Sequence, residues 1–288
     1  MIVITAPTGN IGRHLLTRLL KSAEELRVIA RDPTRLPDAA RGRVEVVTGS
    51  HGDAEVVDRA FEGADAVFWL VPPDASRPPE DAFTGFTRPA AKALAAHGVG
   101  HVVGVSVLGR GTPLADRAGL VTASLAMDDL LSGTGAAYRA LADPSFFENL
   151  LEEAASIRDK GVFADPDRKA PLVAATDIAA VAADLLLDRS WTGTGSAPVL
   201  GPRDLSPNDL ARITTEQLDR PVRYERQPLD ALRADLNGLD EAFVQAMVDM
   251  KRAKDEGLDT GVTRTPEATG PTTFEHWSAH TLKPAVFA

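Results

Sequence analysis

Residues 1–14, MIVITAPTGNIGRH, run an apolar strand (Ile2-Val3-Ile4) into a turn spaced Ala6-x-x-Gly9-x-x-Gly12. A helix with leucines at 15, 16, 19 and 20 follows at once. Strand, glycine turn and helix are how a backbone builds an anion site. The turn lets phosphate oxygens approach main-chain N–H groups, and the helix N-terminus adds its partial positive charge. The spacing is a short variant of the dinucleotide fingerprint with its first glycine replaced, and it directly follows the opening strand of an α/β chain.

The rest of the first half repeats that rhythm. Strands are predicted at about 2–6, 26–30, 44–48, 66–71, 101–107 and 137–141, with helices at about 10–22, 54–62, 82–97 and 122–132. Runs such as Ala66-Val67-Phe68-Trp69-Leu70-Val71 and Val102-Val103-Gly104-Val105 are apolar throughout, the pattern of a parallel sheet covered on both faces. Beyond residue 142 the order loosens. Thr176 is the N-cap candidate of a helix over 176–188, with Asp177 in its first turn. Pro198-Val199-Leu200-Gly201 reads as a return strand at the sheet edge. Ser206-Pro207-Asn208-Asp209 starts another helix by capping and N1-proline logic, and an amphipathic helix over 239–256 ends at Gly257. With no repeat and no low-complexity linker, the reading is an α/β, doubly wound parallel sheet (Rossmann) with a smaller interleaved C-terminal substrate lobe. Residues 1–142 and 176–201 are assigned to the nucleotide-binding part, and 143–175 and 202–288 to the lobe.

Composition narrows the partners. The 288 residues carry a net charge of −10 without any Lys/Arg block, which argues against nucleic acid. No apolar run reaches the roughly 20 residues of a membrane helix, and the chain opens on a strand rather than a leader, so the cytoplasm is the expected compartment. The absence of cysteine removes disulfides, thiolate catalysis and cysteine-ligated metals together. The oligomeric state stays open.

The end of the second strand selects the cofactor. A carboxylate there would accept the ribose 2′-hydroxyl of NAD, whereas a basic residue suits a 2′-phosphate. Val28-Ile29-Ala30 is followed by Arg31, with Arg35 one turn on, and Arg13 follows the last glycine of the turn. NADP(H) is therefore expected, held by Thr8, Gly9, Asn10, Ile11, Gly12, Arg13, Arg31 and Arg35.

At this point the chain resembles the NmrA-like family, the atypical branch of the short-chain dehydrogenases/reductases. The opening turn, Arg31-Asp32-Pro33, and Gly49…Asp53 running through Ala60-Phe61-Glu62-Gly63-Ala64-Asp65 match in order. So do Val105-Ser106-Val107-Leu108-Gly109, Pro144-Ser145-Phe146-Phe147-Glu148-Asn149-Leu150, Ala175-Thr176-Asp177-Ile178-Ala179, Gly201-Pro202, Arg220-Pro221-Val222-Arg223-Tyr224 and Pro271-Thr272-Thr273-Phe274-Glu275. The resemblance implies a Rossmann domain with a small C-terminal substrate lobe.

Three departures stand out. Ala6 replaces a usual glycine, with Pro7 biasing it toward extended geometry. Ser50 stands where the family often has aspartate. The tyrosine–lysine pair with which the broader superfamily protonates a carbonyl is missing: Leu120 and Ser124 occupy those positions, with Asp128 one turn further. Tyr138 falls in the sixth strand and is followed four residues later by Ala142. Ser106, closing the fifth strand, is then the candidate catalytic side chain. Pro72, Pro144 and Phe147 are expected against the cofactor, and Pro73, Ser106, Phe146 and Phe147 around a substrate pocket. His276 and His280 lack the pattern of a zinc motif, so no metal is expected. His51 reads as a loop histidine that could border adenine.

These observations favour an NADPH-dependent oxidoreductase acting on a small apolar carbonyl, quinone or enone without the usual acid pair. The alternatives are a non-catalytic NAD(P)-sensing regulator and a redox-neutral lyase or isomerase on the same fold.

Overall fold

The computed structural model describes residues 1–164 and 169–288. Residues 165–168, inside the segment assigned above to the substrate lobe, lie outside the described residues. Seven parallel strands form the central sheet: β1 (Ile2–Ile4), β2 (Leu26–Ala30), β3 (Glu45–Thr48), β4 (Ala66–Trp69), β5 (His101–Val107), β6 (Ala137–Asp143) and an edge strand, Thr194–Pro198. Their order is β3-β2-β1-β4-β5-β6-edge strand. The winding reverses between β1 and β4, which opens a crevice at the carboxyl ends of the strands.

Because both faces are covered, successive residues of one strand enter different cores. Val3 joins the core under α2 (Ala54–Phe61), α3 (Phe86–His97) and α4 (Leu120–Ser132). Its neighbours Ile2 and Ile4 join the opposite core, under α1 (Gly12–Leu19) and a helix over Ala175–Leu187. A third core, holding Phe147, Phe163, Leu210, Phe274 and Trp277, builds the C-terminal lobe.

The lobe gathers short elements from distant parts of the chain. They are β7 (Ser145–Phe146), α5 (Ala154–Lys160), β8 (Val162–Ala164) and β9 (Ala170–Val173); the helix Ala175–Leu187, here α6, and the edge strand, β10, then return the chain to the central sheet. Next come β11 (Asp204–Leu205), α7 (Pro207–Leu218), β12 (Arg223–Glu225) and α8 (Leu229–Asp235), followed by α9 (Glu241–Asp255), α10 (Phe274–Trp277) and α11 (Lys283–Phe287). β7, β9 and β11 form one small sheet, and β8 pairs with β12.

Two sequence expectations are corrected. The return strand is not 198–201 but β10, whose Thr-Gly-Ser-Ala-Pro sequence is exposed over its first half and carries no apolar signature. The apolar Val199 and Leu200 are buried just beyond it, with Val199 N–H bonded to the Ala142 carbonyl. α6 begins after Ala174 with no cap from its own segment. Glu148 supplies the acceptor instead, its Oε2 taking the Ala175 N–H at 3.0 Å. By contrast, α7 starts as its sequence requires, with Ser206 and Asp209 bonding reciprocally and Pro207 in the first turn. α9 lies across α4, whose entry at Gly119 has φ +55°. A Cβ there would stand 1.9 Å from the Ala246 carbonyl oxygen, so only glycine lets the two helices meet.

Candidate active site and dinucleotide crevice

The β1–α1 turn has free donors. Helix α1 has no side-chain cap at Ile11. Among the described residues, no backbone carbonyl takes the N–H of Thr8, Asn10, Ile11 or Gly12, while Gly9 N–H bonds back to the Ala6 carbonyl. Uncapped amides at a helix N-terminus fit a pyrophosphate by both hydrogen bonding and dipole. The expectation for Ala6 is corrected. Its φ is +47°, one of two non-glycine residues with positive φ among those described, so it takes the glycine conformation rather than the extended one favoured by Pro7. A Cβ on Gly12 would lie 2.0 Å from the Ala6 carbonyl oxygen; the close approach that demands glycine lies inside the turn.

Arg31 and Arg35 are both exposed beyond β2. The nearest acid in sequence, Asp32, turns its carboxylate back onto Thr34, accepting from its N–H at 3.0 Å and its hydroxyl at 2.6 Å. These bonds hold its pKa below the usual carboxylate value. Arg13 is also exposed, with Nε 3.4 Å from His14 Nε2, but its charge is felt at Glu148 on the α6 side. That of Arg31 is felt at His51 on the β3 side.

His51 is buried rather than free in its loop. Its Nε2 lies 2.8 Å from the Leu70 carbonyl, and its ring packs edge-on to Trp69 and Phe86. Burial, with the Arg31 charge adding to it, lowers its pKa to about 4. At neutral pH it is an uncharged donor that ties the post-β3 loop to the end of β4. Pro72 and Pro73 follow on an exposed loop, anchored where Asp240 N–H bonds to the Ala75 carbonyl.

At the end of β5 the sequence candidate acquires unexpected company. Ser106 is buried, and its hydroxyl donates to Asp128 Oδ2 at 2.5 Å. Asp128, on the inner face of α4, accepts the Tyr138 hydroxyl on its other oxygen at 2.6 Å. Tyr138 reaches across β5 because Gly104 leaves room: a Cβ there would sit 2.4 Å from the phenol oxygen. Arg110, half-exposed, bonds Asp129 at 2.8 Å and the Leu125 carbonyl at 2.9 Å, with Nη2 3.4 Å from Asp128. Burial raises the Asp128 carboxyl above its ordinary pKa against these donors, and it raises the Tyr138 phenol well above its own. Leu120 and Ser124, at the superfamily's tyrosine and lysine positions, are both buried on the same helix. A carboxylate at Asp128 among the mostly apolar buried positions of α4 was a signal the sequence offered; its meeting with Tyr138 was not.

At the end of β6, Asp143 is 1% exposed and neither carboxylate oxygen has a partner among the described residues. Burial pushes its pKa well up. Pro144 is buried, and Phe146 is half-buried against the α1/α6 core. Phe147 corrects the pocket expectation. Its ring is 3% exposed and packs 5.2 Å from Phe274 and 5.7 Å from Trp277, leaving only its backbone for a cofactor. Glu148 bridges Ala175 N–H and Trp277 Nε1, each at 3.0 Å. Asp177 accepts Thr272 N–H at 3.0 Å and its hydroxyl at 2.7 Å. Two stretches that carried the family resemblance, 95 residues apart, are thus one contact. His276 and His280 stack at 4.2 Å, and His280 Nδ1 lies 2.8 Å from the His276 carbonyl. A groove of about 760 Å³ runs along Thr122, Ala126 and Leu130 on the outer face of α4, away from Asp128.

The profile of the NAD(P)H-binding family matches residues 7–189. The chain belongs to this family. It is 32% identical over 288 residues to the (4-alkanoyl-5-oxo-2,5-dihydrofuran-3-yl)methyl phosphate reductase of Streptomyces griseus, covering 97% of each chain. It is 27% identical over 277 residues to the NAD(P)H azoreductase of Xenophilus azovorans, covering 94% of this chain and 93% of that one. The fold is that of the NADPH-dependent quinone oxidoreductase of Escherichia coli, solved with NADPH: TM-score 0.80 at 22% identity, covering 97% and 99% of the two chains. The fold expected from the NmrA-like resemblance is thus the one observed, and the relatives matched over nearly the whole chain are named as reductases. No helix among the described residues is long and apolar enough to cross a membrane.

Proposed function

We propose that the protein uses NADPH to reduce a small, largely apolar acceptor in which a carbonyl is conjugated, as in a quinone or enone. The observation that carries this reading is that one sheet has, beyond the carboxyl end of β1, an uncapped phosphate turn and, near the carboxyl end of β5, a buried hydroxyl–carboxyl pair. The amides of Thr8 and Asn10–Gly12 would hold the pyrophosphate, with Arg13 on its α6 side. Arg31 and Arg35 would take a 2′-phosphate, a choice supported by the turning away of Asp32. The backbone of Pro144–Phe147 and the Pro72–Pro73 loop would border the nicotinamide. When bound, the dihydronicotinamide supplies the hydride. The protein's own contribution is to hold cofactor and acceptor in contact and exclude water, with Ser106 toward the acceptor oxygen. Two of the names support the conjugated carbonyl, since an alkanoyl-furanone and a quinone both carry one; the azoreductase acts on an azo compound, and the furanone substrate carries a phosphate as well.

The test is a titration with NADPH and NADH followed by stopped-flow oxidation against furanone, quinone, enone and simple ketone panels. NADPH should bind at least tenfold more tightly than NADH, and conjugated acceptors should turn over faster than simple ketones. Tight NADPH binding without oxidation by any acceptor would instead indicate a nucleotide sensor.

A further inference from the structure

We propose that Asp128 is the proton reservoir of this enzyme, acting through Ser106 in place of the absent tyrosine–lysine pair. The inference rests on the reductase reading above and deepens it. Ser106 Oγ, Asp128 and the Tyr138 hydroxyl form a continuous chain with spacings of 2.5 and 2.6 Å. All three side chains are buried, at 3%, 2% and 1% exposure. Ser106 is the penultimate residue of β5, at the carboxyl end of the sheet, so its hydroxyl is the member of the chain closest to the edge where a dinucleotide binds in such sheets. Tyr138 and Arg110 are the two groups placed to receive the negative charge left behind.

The step balances without a further reagent. The acceptor carbon takes the hydride supplied by the bound dihydronicotinamide, and its oxygen takes the Ser106 hydroxyl proton. Ser106 recovers a proton from the Asp128 carboxyl, which becomes a carboxylate. One C=O becomes one CH–OH, or for an enone the saturated carbon pair through its enol. The electron pair would come from the bound dihydronicotinamide, and water would reprotonate Asp128 between turnovers. The new carboxylate keeps the Tyr138 hydrogen bond and the half-exposed Arg110 charge, which limits the cost of ionising in a buried place.

A purely structural reading of the same cluster is a lock that fastens α4 to the sheet. The two differ in what a proton does. The ionisable or charged groups facing Asp128 are Tyr138 from β6 and Arg110 from the loop after β5, with Asp129 on the far side of that arginine. The helices packed over the same core, α3 and α9, contribute apolar residues such as Ala90, Leu94, Phe243 and Ala246. A donor acting through Asp128 must therefore lose activity as pH rises through the pKa of that carboxyl. Tyr138→Phe removes a hydrogen bond to the ionised form, so both the carboxyl titration and the activity limb should move to higher pH.

Three measurements test this. First, the Asp128 carboxyl is titrated by ¹³C NMR in the ligand-free protein and in Tyr138→Phe. Second, kcat is followed against pH for the wild type, Tyr138→Phe and Asp128→Asn with the best acceptor of the panel. Third, NADPH affinity and urea stability are measured for each. The expected result is a kcat limb that matches the NMR titration and moves upward with it in Tyr138→Phe. Asp128→Asn should lose about a hundredfold or more in kcat, the range of a general acid, with NADPH affinity within about threefold of wild type. Adding Ser106→Ala to Asp128→Asn should cost little more, because the two act as one unit. A limb that stays put in Tyr138→Phe while the NMR titration moves would overturn the proposal. So would a folded Asp128→Asn enzyme with wild-type kcat. A wild type that binds NADPH but reduces nothing overturns the reductase reading instead, and the NMR titration would still report whether Asp128 holds its proton.

Discussion

Gly12→Ala tests the turn on which cofactor binding depends. The added Cβ would lie 2.0 Å from the Ala6 carbonyl oxygen, 2.8 Å from its carbon and 3.0 Å from Pro7 Cα. An unstrained carbon–oxygen contact is about 3.3 Å or more, so one side must retreat by roughly 1.3 Å. The obstacle is backbone on both sides, with no flexible side-chain end to give way. Pulling α1 back breaks its seat under Leu15, Leu16 and Leu19, all fully buried, and overpacking of this kind costs about 1–3 kcal/mol. It also moves the free amides of Ile11 and Gly12 off a bound phosphate. Losing two charge-assisted hydrogen bonds, at about 1.5–3 kcal/mol each, weakens NADPH by roughly a hundredfold or more. The assay pairs urea unfolding with NADPH titration by intrinsic fluorescence. Ala6→Gly is the reciprocal arm: it removes the left-handed penalty at φ +47°, about 1–2 kcal/mol, against about 0.4–1 kcal/mol of added unfolded-state entropy. It should stabilise by about 0.5–1 kcal/mol. Gly12→Ala with unchanged stability and affinity, or Ala6→Gly that destabilises, would refute this account of the turn.

Arg31→Ala should weaken NADPH by roughly ten- to a hundredfold and leave NADH within about threefold; equal losses in parallel titrations would remove Arg31 from the 2′-phosphate. His51 titrates at about 4 when folded and 6.5 when unfolded, so the unfolded chain binds the extra proton between those values. Stability should fall by up to about 3 kcal/mol as pH drops through that window, and His51→Gln should flatten that slope in urea titrations at pH 7, 5.5 and 4. Asp143 has the opposite sense: its folded pKa is raised, so its stability is intact below about 3.8 and is lost as pH rises toward the folded value. Asp143→Asn should unfold at higher urea than wild type at pH 8 and lose that advantage at pH 4, and an unchanged difference across pH would place a partner on the carboxylate.

Six of the seven strands of the sheet were legible in the sequence. Local apolar runs, a glycine-spaced turn and well-capped helices such as α7 are short-range signals, and each strand from β1 to β6 announced itself within its own few residues. The exposed arginines beyond β2 and the missing tyrosine–lysine pair were equally readable, because identity and spacing decided them. Only the tertiary structure decided the rest, since each remaining feature is a contact between segments far apart in sequence. The edge strand β10 forms because β6 offers an unpaired edge, though its own residues are small and exposed. α6 is capped by Glu148 from another segment, and Asp177 finds Thr272 across 95 residues. The sign of φ at Ala6 follows from helix α1 closing on the turn, against the local preference set by Pro7. The same holds at the centre of the site. Asp128 and Tyr138 lie ten residues apart on a helix and a strand, and they meet only because Gly104 on a neighbouring strand lacks a side chain. Local propensity specifies elements; burial in three dimensions decides which polar groups must find one another.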